Sequence, residues 1–160
     1  MAKRLAVMED VVMVQYGQFV LMDEDGSAGA EDAPSLWDLS FDEEEWLQVT
    51  TNGALVSTGY SDHRVRVFFE LWDGPPEAPT SGQAREAEFF ATSGRIRLAE
   101  LVSYAEHVSF DLGQRSTFWK FRVILHELKD PDEIETEEVS PELEQYCFQF
   151  WQPQHDSLYS

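Results

Sequence analysis

Arg64-Val65-Arg66-Val67-Phe68-Phe69-Glu70-Leu71-Trp72 is the stretch that decides the fold class. In an extended chain, Val65, Val67, Phe69 and Leu71 share one face, and Arg64, Arg66 and Glu70 share the other. Such a strand buries one side and leaves the other polar. A doubly wound parallel sheet would instead need strands apolar throughout. The same period recurs on both sides of this stretch. Glu86 to Thr92 puts Ala87, Phe89 and Ala91 on one side, and Thr92-Ser93-Gly94 reads as a hairpin turn into Arg95 to Leu98. His107 to Leu112 alternates with Val108, Phe110 and Leu112 inward. Thr117 to Glu127 directs Trp119, Phe121, Val123 and Leu125 one way against Lys120, Arg122 and His126. Val11 to Met22, interrupted by Gly17, is long enough for two short strands or one bulged strand. Trp46 to Thr50, Ala54 to Ser57 around Asn52-Gly53, and Tyr146 to Trp151 complete the set.

These segments predict an all-β chain, an antiparallel β-sandwich of about eight or nine strands. One or two short helices are expected beside it. Ser40 to Glu43 fits a capping box that starts a helix over 41–47, and Ser140-Pro141-Glu142 is a second helix start. The 160 residues suit a single domain spanning 1–160. A chain 42% hydrophobic and 13% aromatic has the apolar surface to fill a core.

The formal charge is −20, from 31 acidic and 11 basic side chains. It is unevenly spread. Residues 1–50 carry 12 acidic and 2 basic side chains, residues 51–125 carry 9 and 8, and residues 126–160 carry 10 and 1. A balanced middle is therefore flanked by acidic ends, with runs at Asp23-Glu24-Asp25, Asp42-Glu43-Glu44-Glu45 and Asp130 to Glu138. Charges of one sign at that density favour solvated positions. The balance argues against direct nucleic-acid or anionic-membrane binding, and no apolar run approaches the roughly 20 residues of a spanning helix. The basic start Lys3-Arg4 is followed by only four apolar residues before Glu9, too few for an export core. With Cys147 as the single cysteine, cytoplasm is the expected location.

Motifs with chemical meaning are few. His126-Glu127 lacks the second histidine of a zinc helix, because residue 130 is aspartate. Asp23 to Gly26 resembles the opening of a calcium loop, but its glycine comes too early and position twelve is Pro34. Neither a metal nor a cofactor is expected, and no arrangement points to an enzyme. His63 and His107 read as strand starts. Cys147, among acidic and aromatic neighbours, reads as an inert thiol. Trp119, Phe121, Phe148 and Phe150 read as core.

The remaining reading is of an acidic protein-binding module. Asp23, Glu24, Asp25, Asp42, Glu43, Glu44 and Glu45 would face the arginines and lysines of a basic partner, with Trp37 or Trp46 as an apolar anchor. The alternative for such a tryptophan is to cover an open end of the sandwich. A small-molecule or sugar-binding sandwich, or a domain whose charge only supports solubility, are the competing functions.

Tyr16-x-x-Phe19, Arg64 to Glu70, Thr92-Ser93-Gly94-Arg95-Ile96, Val108 to Leu112 and Phe121-Arg122-Val123 together resemble bacterial nuclease-inhibitor proteins of the competence protein J type. The resemblance implies a nuclease-like partner and an inhibitory role. The acidic stretch 129–145, between the last two strands, departs from that pattern.

Overall fold

The computed structural model describes residues 2–14, 16–25, 46–58, 63–100, 107–127 and 142–152. Ten strands are present among them: β1 (Arg4–Val14), β2 (Gln18–Asp23), β3 (Leu47–Thr50), β4 (Gly53–Ser57), β5 (His63–Trp72), β6 (Gln83–Ala91), β7 (Arg95–Glu100), β8 (Phe110–Asp111), β9 (Thr117–Glu127) and β10 (Glu142–Trp151). They form two five-stranded sheets, ordered β1-β5-β10-β9-β6 and β3-β4-β2-β7-β8. The sandwich is thus confirmed, with ten strands rather than eight or nine. No helix occurs among the described residues. Of the two expected helices, residues 41–45 and 140–141 lie outside the described set, whereas Leu47 opens β3 and Glu142 opens β10.

The alternation read from the sequence places the core. Val65, Val67 and Phe69 of β5 stand beside Tyr146, Phe148 and Phe150 of β10 and Phe121 and Val123 of β9 on the inner face of one sheet, all fully buried. Phe19, Leu21, Val56, Ile96 and Leu98 close it from the second sheet. Phe69 lies 5.7 Å from Phe148, Phe121 lies 5.7 Å from Phe150, and Phe148 lies 6.2 Å from Phe150, all with rings near parallel. Such ring pairs add about 0.5–1.5 kcal/mol beyond the area they bury.

Four features depart from the expected pattern. The β5–β10 pair is parallel, with Tyr146 opposite Val67 and Phe148 opposite Phe69, while the other pairs are antiparallel. Thr92-Ser93-Gly94 is a corner between sheets and not a hairpin, because β6 belongs to one sheet and β7 to the other. Val108 is 69% exposed; the strand there has shrunk to Phe110–Asp111, so the alternation does not extend back to it. Arg122, on the outer face of β9, is buried rather than solvated. The β5–β6 connection, residues 73–82, crosses that face, and the guanidinium donates to the Pro76 and Glu77 carbonyls at 3.3 and 3.0 Å. Its Nη2 also reaches Glu86 at 3.1 Å, and its plane lies 5.6 Å from the Trp151 ring.

Candidate partner-binding surface

The sandwich has two ends. One carries the Thr92–Gly94 corner and the end of β2; the other carries the starts of β5 and β10. At the first end, Asp23 is fully buried. Its carboxylate accepts from the Asp25 amide at 2.9 Å, from the Ser93 amide at 3.2 Å to each oxygen, and from the Gly94 amide at 2.9 Å. Its own amide donates to the Asn52 carbonyl at 2.8 Å. Asn52, at φ 65°, accepts from the Thr92 amide at 2.8 Å and donates to Thr92 Oγ1 at 3.0 Å. Three chain segments are stitched together here. Gly94 completes the stitch: its φ is +77°, and a Cβ there would come within 2.1 Å of the Gln114 carbonyl oxygen.

Asp23 is therefore a structural acceptor and not a partner-facing charge. The acid count of the run concealed this, because only hydrogen bonding distinguishes it from its neighbours. Glu24 and Asp25 are exposed as expected. They already hold neighbours: Glu24 accepts from Ser109 Oγ at 2.5 Å and lies 4.0 Å from Arg95, and Asp25 accepts from Thr92 Oγ1 at 2.5 Å. The groove between them also includes Asp111 and Arg115, so its charge is mixed.

At the opposite end Trp46 is only 9% exposed. Its ring meets Tyr146 edge-on at 5.9 Å, and the Arg85 guanidinium sits 5.5 Å from its centroid. Trp46 covers the end of the sandwich, so it does not serve as an exposed anchor. Nearby, His63 Nε2 lies 3.1 Å from Glu144 Oε1, and the Tyr146 hydroxyl donates to the same oxygen at 3.4 Å. Both members of the pair are buried. Sequence reasoning missed this cluster, although the signal was there. Glu144 has the same parity as Tyr146, Phe148 and Phe150, so β10 points a carboxylate into the core, and His63 leads the buried face of β5. His107 is likewise paired, its Nδ1 lying 2.9 Å from Asp10 Oδ2.

Cys147 faces outward on β10, half-buried. Its thiol is pushed up to about 12, first by burial and then by the Glu70 carboxylate, which keeps it protonated. Among the described residues no cluster of three metal-binding side chains occurs.

Trp37, Asp42, Glu43, Glu44 and Glu45 lie outside the described residues. The structure separates the parts of the nominated surface that it does describe, with Asp23–Asp25 at one end and Trp46 at the other. Glu127 pairs with Glu144 near the Trp46 end, so the described residues on either side of 128–141 lie together there. Glu45 is bonded to Trp46, so both acidic runs join the described chain at this end. The described residues carry 15 acidic and 10 basic side chains, and the remaining segments carry 16 acidic and 1 basic. Within the body, several arginines meet carboxylates: Arg4 with Glu70 at 3.3 Å, Arg66 with Glu9, and Arg122 with Glu86 at 3.1 Å.

No protein-family model and no curated protein matches the sequence. Solved structures do match in fold. ComJ from Bacillus subtilis, an inhibitor of the DNA-degrading activity of NucA, superimposes with a TM-score of 0.62 at 15% identity, covering 96% of this chain and 99% of ComJ. The product of crocagin biosynthetic gene J superimposes with a TM-score of 0.57 at 10% identity, covering 93% and 98%. The resemblance read from the strand pattern is thus borne out as a shared architecture.

Proposed function

We propose that this chain is a non-catalytic protein-binding module that inhibits a basic, nuclease-like protein by offering carboxylates to its phosphate-binding cations. The observation that carries the proposal is the partition of charge. A body of 15 acidic and 10 basic side chains, in which Arg4, Arg66, Arg95 and Arg122 are already paired to carboxylates, bears segments holding 16 acidic and 1 basic side chains. Carboxylates accept the same bidentate arginine bonds that a phosphate backbone accepts, so such segments compete directly with nucleic acid. The shared fold with an inhibitor of a DNA-degrading enzyme supports the same reading. Asp42, Glu43, Glu44 and Glu45 with Trp37, together with the run 130–138, are the assigned contact groups. Glu24 and Asp25 act as a weaker second contact at the other end. Asp23 and Trp46 are withdrawn from the set because both are buried.

The test is a DNA-degradation assay with NucA and with basic nucleases from the host of this chain. The proposal expects inhibition that weakens steeply as salt rises and is lost when residues 42–45 are changed to lysine. Failure to slow any of these nucleases at low salt overturns it. Stabilisation by a small sugar or metabolite with no salt dependence would favour the ligand-binding alternative.

A further inference from the structure

We propose that the open edge of β1 is a self-docking surface, which pairs antiparallel with β1 of a second copy of this chain. Among the described residues β1 is the outermost strand of its sheet, with β5 on one side only. Leu5 and Val7 are 57% and 53% exposed, an unusual state for two apolar side chains so close on one strand. Val7 pairs with Glu70 on the outer face of the sheet, two residues from the Glu9–Phe68 pair, and Leu5 lies at the register shift between Arg4 and Ala6.

The backbone shows which groups are available. The Val11 amide donates to the Asp10 carboxylate at 2.8 Å, so among the described residues it turns away from β5 toward the outer edge of the strand. In an antiparallel ladder every second residue turns its N–H and C=O the same way, so Val7 and Glu9 share that orientation. A two-fold axis at Val7 sets Val7 against Val7, exchanging two backbone bonds. It sets Leu5 against Glu9 of the second copy, and the exposed apolar side chains then form one patch across the seam.

Charge selects the direction. Lys3 precedes β1, Arg4 opens it, and Glu9 and Asp10 lie at its middle, with Arg4 meeting Glu70 and Glu9 meeting Arg66 within one copy. Antiparallel pairing about Val7 lays the basic start of one strand along the acidic middle of the other, whereas parallel in-register pairing stacks like on like. The net charge of −20 opposes association, so the pair should form better as salt screens that repulsion. Partner binding through the acidic runs has the opposite salt dependence, so the two proposals fail separately.

Sedimentation velocity of the full chain over a range of concentrations, at low and high salt, is the primary test. A dimer that grows with both concentration and salt, and that Val7→Lys abolishes without lowering Tm, is expected. A second measurement uses Val7→Cys in a Cys147→Ala background. Oxidation should link two copies through residue 7, while a cysteine at the exposed Phe118 position on the far side of the sheet should not link. A monomer at every concentration overturns the proposal. So does a dimer indifferent to Val7→Lys, or loss of nuclease binding in that variant with no change in self-association, which would make the edge a docking strand for the partner instead.

Discussion

Changing Asp23 to asparagine tests the reassignment of that residue from partner contact to internal acceptor. The substitution keeps shape and hydrogen-bonding size but replaces one acceptor oxygen with an NH2 donor. Both oxygens are in use, Oδ1 by the Asp25 and Ser93 amides and Oδ2 by the Ser93 and Gly94 amides. Either orientation of the new amide therefore turns a donor toward a donor. A hydrogen bond to a charged acceptor contributes about 1.5–3 kcal/mol, and a buried amide left unpaired costs about 1–3 kcal/mol. Asparagine is easier to desolvate than a carboxylate, which offsets part of the loss, and a net cost of about 2–3 kcal/mol results. For a chain of this size that corresponds to a fall in Tm of roughly 5–10 °C. Urea unfolding with an unchanged slope and a lowered midpoint is the assay, and the exposed Asp25→Asn is the control, with an expected cost under about 1 kcal/mol. Nuclease inhibition by Asp23→Asn should persist wherever the variant is folded. Equal stability of Asp23→Asn and the parent chain would refute the acceptor role. A folded variant that had lost inhibition would return Asp23 to the contact surface.

Gly94→Ala should be costlier than an ordinary surface change, by about 2 kcal/mol or more, because the left-handed backbone and the Gln114 carbonyl both resist a methyl group; thermal unfolding checks it. Glu144→Ala should lower stability by about 3–5 kcal/mol by leaving His63 with a broken pair, whereas changing both residues to leucine should recover much of the loss in denaturant titrations. At pH 8 the Cys147 thiol should react with an aromatic disulfide reagent at least about a hundred times more slowly in the native chain than in urea, since its raised pKa leaves little thiolate. Arg122→Ala should free the crossing segment 73–82 and expose it to limited proteolysis, which near-wild-type protection would contradict.

Strand content was legible because alternation is a local property. Val65, Val67 and Phe69 declare their face without reference to any other strand, and the aromatic core followed from the same parity in β9 and β10. What alternation cannot reveal is which strand lies beside which. The parallel β5–β10 pair and the sheet-changing corner at Thr92–Gly94 are long-range choices, made by the packing of whole layers. The same limit explains the acidic residues. Asp23, Glu24 and Asp25 look alike in sequence, yet two backbone amides, of Ser93 and Gly94, converge on one of them from a segment some 70 residues away. Trp46 was read with its covering role as an alternative, and the contact with Tyr146 decides for it. Val108 misled because a regular pattern continued past the point where pairing partners ran out.

The position of β10 has a consequence for biosynthesis. This strand is made after all nine others, yet it occupies the middle of its sheet, between β5 and β9. Until it emerges from the ribosome, β1 and β5 cannot join β9 and β6, and Phe69 and Phe121 of the two half-sheets lack Phe148 and Phe150 between them. Assembly must wait for synthesis to reach that strand, with a nascent chain that exposes greasy surface and invites chaperones meanwhile. A message cut short before codon 142 would yield no smaller working version of the protein, only a substrate for proteases.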